Sequence, residues 1–312
     1  MIEDAARLER IETLAIPPAW TDTWISPSPG AKLQATGLDA AGRRQYLYHP
    51  DFRAAREQEK FDRLVRFGEL LPGLRQHTAA HVLRDPFTLE WTCAHAVTLI
   101  NRAWFRVGSE RYARSSRTYG VTTLRKGHVA VRGKRLSFRF RAKHRMLVRT
   151  TLVDADLAFG IKELVGLSGG SRLFRVAQDG AYANLTAETL NTYLGEHLGG
   201  GFTAKDFRTW GGTLTAAVAL AEHGPSETEA EARRVIAAAM RRVGEQLGNT
   251  PAVARASYVS PAVIEQYREG RTLSYFRPRA ERALSTHTNS LDEEEAALLT
   301  LLRSWRVRSA RR

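Results

Sequence analysis

Arg and Lys side chains are placed in this chain where they could do chemistry on a phosphodiester. Residues 101 to 150 hold fifteen basic side chains and one acid, Glu110, whereas the other 262 residues hold 32 of each sign. The formal net charge of +14 therefore sits in one fifty-residue stretch, the pattern of a local polyanion-binding surface. A phosphodiester can be opened without a metal if cationic donors stabilise the charge of the transition state and an acid protonates the leaving oxygen. Arg suits the first role, because its planar fork donates two bonds to phosphate oxygens and never loses its charge. Lys suits the second, because its pKa of about 10.4 can be lowered among other cations. The chain has seven Lys and forty Arg, and one of the few lysines, Lys143, falls in a short turn of the most basic region.

Other chemistries find little support. Gly127 to Gly133 followed by Lys134 has five residues between the glycines instead of the four of a phosphate-binding loop, and Arg135 replaces the required Ser or Thr. His77 and His81 are four apart on a helical stretch, half of a metal site without an apparent third ligand. Asp154 and Asp156 stand before a helical run and read as capping. Neither a dinucleotide-binding glycine motif, a serine-nucleophile elbow nor a paired-cysteine zinc motif occurs, so no cofactor, metal or nucleotide is expected. The single cysteine, Cys93, cannot form an internal disulfide, and neither a secretory signal nor an apolar run of about 20 residues is found. These features point to a cytoplasmic protein. The basic stretch alternates like strands and lacks an amphipathic helical pattern, so duplex DNA is a better partner than a membrane.

The elements that must position these residues are partly readable. A helical pattern from Glu3 to Leu14 precedes three strand-like runs, Thr23 to Ile25, Lys32 to Leu38 and Gln45 to His49. A helical pattern from Asp51 runs toward a break at Pro72-Gly73. Asp85-Pro86 reads as cap and first turn of a helix reaching Trp104, with Arg106 just beyond. Val121 to Leu124, His128 to Val131, Arg135 to Arg141 and Arg145 to Leu152 read as an antiparallel meander with Lys143 at a hairpin tip. The remainder reads as mostly helical: Thr186 and Thr203 are N-cap candidates, Ser226 and Glu229 a capping box, Gly248 a C-cap, and Thr250-Pro251 and Ser260-Pro261 helix starts. Asp292 to Glu295 lead a final helix.

Five pieces taken together resemble the poxvirus-type DNA topoisomerases IB, in the form of a bacterial member and over almost the whole chain. They are Gly42-Arg43-Arg44-Gln45-Tyr46-Leu47-Tyr48, Phe105-Arg106-Val107-Gly108, Thr118-Tyr119-Gly120, Lys205-Asp206-Phe207-Arg208-Thr209-Trp210-Gly211, and Gly248-Asn249-Thr250-Pro251 with Tyr258. The resemblance implies an α+β fold: a small N-terminal antiparallel-sheet domain, residues 1–55, and a larger, mainly α-helical catalytic domain with a β-meander, residues 56–312, of the tyrosine recombinase/topoisomerase IB type, the two closing as a clamp on duplex DNA. It further implies a monomeric enzyme, independent of metal and ATP, that nicks one strand. In that scheme Tyr258 matches the nucleophile, which forms a 3′-phosphotyrosyl link. Arg106 and Arg208 match the arginines on the scissile phosphate, and Lys143 matches the general acid for the 5′-oxygen. Asn249 stands where the family usually has His; an amide can donate a hydrogen bond to phosphate but transfers no proton. Arg43, Tyr46 and Tyr48 match DNA contacts, and Tyr112 and Lys205 are further candidates. Strand alternation leaves Tyr46 and Tyr48 either facing DNA or facing a core. A tyrosine recombinase is the nearest rival, but this chain has Lys205-x-x-Arg208 where recombinases carry His-x-x-Arg; a non-catalytic architectural DNA-binding protein is the other.

Overall fold

The computed structural model describes residues 4–277 and 290–309, so Glu3 of the expected first helix and the last three residues of the basic C-terminus lie outside it. The chain divides into two compact units, Met1–Arg63 and Leu64–Arg312. The division falls some eight residues beyond the expected boundary near 55, inside a helix.

The first unit opens with α1 (Ala5–Thr13), capped by the Asp4 carboxylate on the amides of Ala6 and Arg7, followed by β1 (Thr21–Ile25), β2 (Leu33–Leu38) and β3 (Arg44–Tyr48), an antiparallel sheet in the order β1-β2-β3. Trp24 pairs with Thr36 and Thr36 with Tyr46, so these three share one face. Trp24, Tyr46 and Tyr48 are all exposed on it, Tyr46 by 53%, which places the two tyrosines on the open side of the sheet. The opposite face carries Gly37, where Trp20 packs so closely that a Cβ would lie 2.7 Å from its ring.

α2 (Pro50–His81) runs without interruption through Pro72, against the break expected at Pro72-Gly73. Leu71 and Leu74, on either side of the proline, are both buried, and that burial offsets the lost hydrogen bond, whose cost is about 3 kcal/mol. Next come α3 (Leu89–Ala103) and α4 (Glu110–Ser115). α3 starts four residues after the expected Asp85 cap, because the Thr88 hydroxyl, which accepts from the Trp91 amide, is the N-cap. Val121–Thr123 is a 3₁₀ turn, not the expected strand; it bonds through Val121 N to the Arg106 carbonyl.

The meander is β4 (Val129–Arg132), β5 (Arg135–Arg141) and β6 (Leu147–Val153), in that order. Strict alternation buries Leu136, Phe138 and Phe140 of β5 and exposes Arg135, Arg139 and Arg141. Arg139 lies directly opposite Arg149, and Arg132 opposite Arg135. Like charges facing each other across a ladder repel, so this surface favours an anionic partner.

α5 (Ala155–Gly166) is followed by a hairpin, β7 (Arg175–Gln178) and β8 (Ala181–Asn184), that the helical reading of this half of the chain misses. The remaining elements are helical: α6 (Ala187–Leu198), α7 (Ala204–His223), α8 (Glu229–Leu247), α9 (Pro251–Tyr258), α10 (Pro261–Arg268), α11 (Leu273–Phe276) and α12 (Glu293–Ser309). Thr186, Thr203 and Thr250 are N-caps as expected. Thr228, not Ser226, caps α8, and the Ser226 hydroxyl bonds instead to that of Tyr267. α7 is the central helix of this unit. Phe207 and Trp210 are buried against Phe67 of α2, the Phe67 and Phe207 ring centroids 5.0 Å apart. Glu295 of α12 accepts from Trp210 Nε1 at 3.1 Å and from Arg75 of α2 at 2.7 Å, which ties α7 to α12 and α12 to α2.

Candidate active site

Four of the five candidate catalytic residues lie together where the ends of α3, α7, α8 and α9 meet. α3 ends at Trp104 in the left-handed conformation (φ 51°), and that reversal sends Arg106 back across the helix end. Arg208 is the fifth residue of α7, in its second turn, and is 4% exposed. α8 stops at Gly248 (φ 62°), a conformation that suits glycine. Thr250 then caps α9, with Pro251 in its first turn. Eight helical residues, about 12 Å, carry the chain from there to Tyr258.

The contacts are specific. Arg106 Nη2 donates to the Gly248 carbonyl at 3.1 Å and to Asn249 Oδ1 at 2.8 Å. Arg208 donates from Nη1 to the Trp104 carbonyl at 2.6 Å and from Nη2 to the Leu247 carbonyl at 2.7 Å. Its Nε is buried without a hydrogen-bond partner. The Arg208 guanidinium lies 4.9 Å from the centroid of the Tyr258 ring. Leu247 and Gly248, the C-terminal end of α8, thus hold both arginines through carbonyl oxygens, at the negative pole of the helix dipole.

Among the described residues neither arginine is paired with a carboxylate. Burial and the neighbouring Arg208 lower Arg106 to about 10, still protonated at neutral pH, and burial lowers Arg208 as well. Burial alone would raise the Tyr258 phenol, but Arg208, Arg106 and Lys205 outweigh it and bring its pKa below 10. The group can therefore do two things: deliver a phenolate to a phosphodiester, and hold between two guanidiniums the dianionic phosphorane that forms. A cleft of about 150 Å³ beside the arginines is lined by Trp104, Arg106, Tyr119, Met146, Arg208 and Gly248.

Lys143 lies elsewhere. It is exposed at the tip between β5 and β6, in a 3₁₀ turn closed by a bond from Ala142 N to Met146 O, and makes no contact with the arginine–tyrosine group. Its hairpin is nevertheless anchored there, since Met146 lines the same cleft. Lys205, exposed in the first turn of α7, is near enough to act on the Tyr258 phenol. Tyr112 is exposed on α4. Arg43 is held by Asp39, its Nε donating to Oδ2 at 2.7 Å, and that partner lowers the Asp39 carboxyl to about 2. Among the described residues no three His, Cys, Asp or Glu side chains are arranged to hold a metal; the His77 and His81 rings bond through Nδ1 to the Gly73 carbonyl and the Tyr193 hydroxyl.

Residue-by-residue reading misses the supports. A Cβ on Gly211 would lie 2.3 Å from the Trp104 ring, and one on Gly212 would lie 2.7 Å from the Tyr258 carbonyl oxygen. Two adjacent glycines inside a helix cost about 1 kcal/mol each, which is the readable signal that other backbones must come close there. Thr213 completes the support: its hydroxyl donates to the Tyr258 carbonyl at 3.2 Å and accepts from the Ser260 amide at 3.1 Å. Gly211→Ala is expected to displace Trp104, whose carbonyl holds Arg208, and to lower stability by about 1–3 kcal/mol. Thermal melting together with the single-turnover DNA cleavage rate checks this, with both expected to fall.

Comparison with known proteins identifies the family. Residues 49–282 match the family described as eukaryotic DNA topoisomerase I, catalytic core, and residues 1–39 match the bacterial DNA topoisomerase IB, N-terminal domain. DNA topoisomerase 1B of Acanthamoeba polyphaga mimivirus is 32% identical over 269 residues, covering 84% of this chain and 80% of the viral protein. DNA topoisomerase I of monkeypox virus and DNA topoisomerase 1B of vaccinia virus (strain Copenhagen) are each 20% identical over 277 residues, 86% of this chain and 84% of theirs. The fold is that of an enzyme of the type IB topoisomerase class. The chain belongs to the DNA topoisomerase IB family.

Proposed function

We propose that this type IB topoisomerase relaxes positive and negative supercoils through a covalent 3′-phosphotyrosyl intermediate on Tyr258, acting as a monomer on nucleoid DNA without metal or nucleotide. The observation that carries the reading is the placement of the Tyr258 ring 4.9 Å from a buried Arg208 guanidinium whose Nε lacks a protein partner. An unsatisfied buried donor is costly, and a phosphate oxygen would satisfy it.

The Tyr258 phenol gives its proton to solvent, and its oxygen attacks the scissile phosphorus. Arg106 and Arg208 hold the non-bridging oxygens as charge builds on them. The P–O5′ bond breaks, and Lys143, brought over the cleft by its hairpin, donates a proton to the leaving oxygen. The broken strand swivels about the intact one. The 5′-hydroxyl then attacks the phosphotyrosine, returning its proton to Lys143 and releasing Tyr258. The phosphodiester energy is kept in the phosphotyrosyl bond, so no ATP is consumed. Arg43, Tyr46 and Tyr48 of the first unit, with Tyr112 and Lys205, contact the duplex.

Supercoiled plasmid incubated with the protein in EDTA without ATP is expected to relax, and detergent quenching is expected to trap protein on a 3′ end. Intact supercoils in the presence of folded protein would overturn the reading. For the acid, Lys143→Ala is expected to slow cleavage by about 10²–10⁴-fold. Sulfur in place of the bridging 5′-oxygen is expected to restore most of that loss, because a thiolate leaves without a proton; its conjugate thiol has a pKa of about 8.5. Failure of sulfur to rescue would exclude Lys143 as the proton donor.

A further inference from the structure

The family resemblance casts Asn249 as a direct hydrogen-bond donor to phosphate. Its bonds in this structure point another way. Arg106 has no acceptor atom, so the amide must turn Oδ1 toward it, and the distance is 2.8 Å. The Leu247 carbonyl can only accept, so Nδ2 must face it, at 3.3 Å. Two neighbours of fixed and opposite character therefore set the amide orientation. The Asn249 backbone is fixed as well: its amide bonds to the Gly244 carbonyl at 2.8 Å, and a Cβ on Gly244 would lie 2.7 Å from the Asn249 carbonyl oxygen.

Resting on the topoisomerase reading, we propose that Asn249 is a positioning residue for Arg106: its side-chain oxygen, together with the Gly248 carbonyl, aims the guanidinium at the scissile phosphate. Arg106 needs such a hold. It follows a left-handed turn at Trp104, faces a second guanidinium on Arg208, and has no carboxylate partner among the described residues, of which only Gly248 and Asn249 hold Nη2 in place. A neutral oxygen orients the cation without cancelling the charge that the phosphate requires, as a carboxylate would. A neutral imidazole could accept the same bond through a ring nitrogen, which explains how Asn and His can occupy one position.

One Nδ2 hydrogen remains unused, so direct donation to phosphate is the rival role, and a double-mutant cycle separates the two. Single-turnover cleavage of a duplex oligonucleotide is measured for wild type, Asn249→Ala, Arg106→Ala and the double variant, with DNA affinity and circular dichroism as folding controls. Loss of a charge-assisted bond predicts that Asn249→Ala slows cleavage by about 10- to 100-fold. In the Arg106→Ala background the same change is expected to cost no more than twofold. Equal losses in both backgrounds would overturn the proposal and leave the topoisomerase reading intact, whereas absence of an adduct from the wild type would overturn that reading itself.

The pH profile of Asn249→His is a second readout. The charged or titratable groups around this position are Arg106 after α3, Tyr119, Arg149 on β6, Lys205 and Arg208 on α7, Glu245 on α8 and Tyr258 on α9. An imidazolium cannot accept from Arg106, so cleavage by this variant is expected to fall relative to wild type below about pH 6.5. A relative rise there, as protonation supplied a better donor to phosphate, would contradict the proposal.

Discussion

Replacing Tyr258 with Phe is expected to leave DNA binding unchanged and to abolish both the covalent adduct and supercoil relaxation. The substitution deletes one oxygen. The aromatic ring remains beside Arg208, where the 4.9 Å approach is an attraction between a cation and a π face, so α9 keeps its packing and the controls for fold and affinity should match wild type. Among the described residues no other phenol ring stacks on either Arg106 or Arg208: Tyr119 lines the same cleft, but its ring packs against His128, 4.5 Å away. Detergent-quenched reactions on end-labelled duplex measure the outcome directly. Residual relaxation by Tyr258→Phe would mean that a different residue is the nucleophile.

Arg208→Met is expected to lower the cleavage rate by at least about 10²–10³-fold, the usual cost of removing one preorganised donor from a transition state, and yet not to lower the melting temperature. Arg208 is 4% exposed, has no carboxylate partner among the described residues, keeps one nitrogen unsatisfied, and lies against a second guanidinium. Burying a charge on such terms costs several kcal/mol. Two carbonyls lose a donor in the variant, at about 1–3 kcal/mol each, and relief from the buried charge offsets that loss. A large fall in melting temperature would assign Arg208 a structural role instead.

The same variant has a pH signature. Arg208 is the first of the cations that lower the Tyr258 phenol below 10. In the wild type the cleavage rate should rise with pH and level off as the phenol ionises, at a pH below 10. Without Arg208 the lowering influence is lost while burial still raises the phenol, so the plateau should move to higher pH. Rates across pH 6 to 10.5 at saturating enzyme measure both positions, and an unmoved plateau would contradict this electrostatic account.

The chain's chemistry was more legible than its architecture. The concentration of positive charge in residues 101 to 150 survives folding as a physical surface, because a period of two puts Arg135, Arg139 and Arg141 on the face opposite Leu136, Phe138 and Phe140. Caps at Thr186, Thr203 and Thr250 were legible because a side chain and the amide it caps lie within three residues. The break assigned to Pro72 failed because local propensity competes with burial, and here Leu71 and Leu74 are buried by residues distant in sequence. The face of Tyr46 and Tyr48 was undecidable for a related reason. Alternation puts two residues on one side of a strand without saying what covers that side, and the sheet leaves it open.

By itself the sequence determined which groups were available: a tyrosine, two arginines and an amide in recognisable surroundings, a lysine on a basic hairpin, and no metal motif. Those are properties of residue type and short spacing. Only the tertiary structure decided how they act on one another, since Arg106 meets Asn249 across 143 positions and Arg208 meets Trp104 across 104. No local rule spans such distances. The approach depends on Gly211 and Gly212 admitting the Trp104 ring and the Tyr258 backbone, and on the end of α8 presenting two free carbonyls to two cations. The sequence supplied an arginine pair and a phenol; the fold buried the one against the other, leaving one guanidinium nitrogen unpaired beside a phenol whose pKa the cations lower.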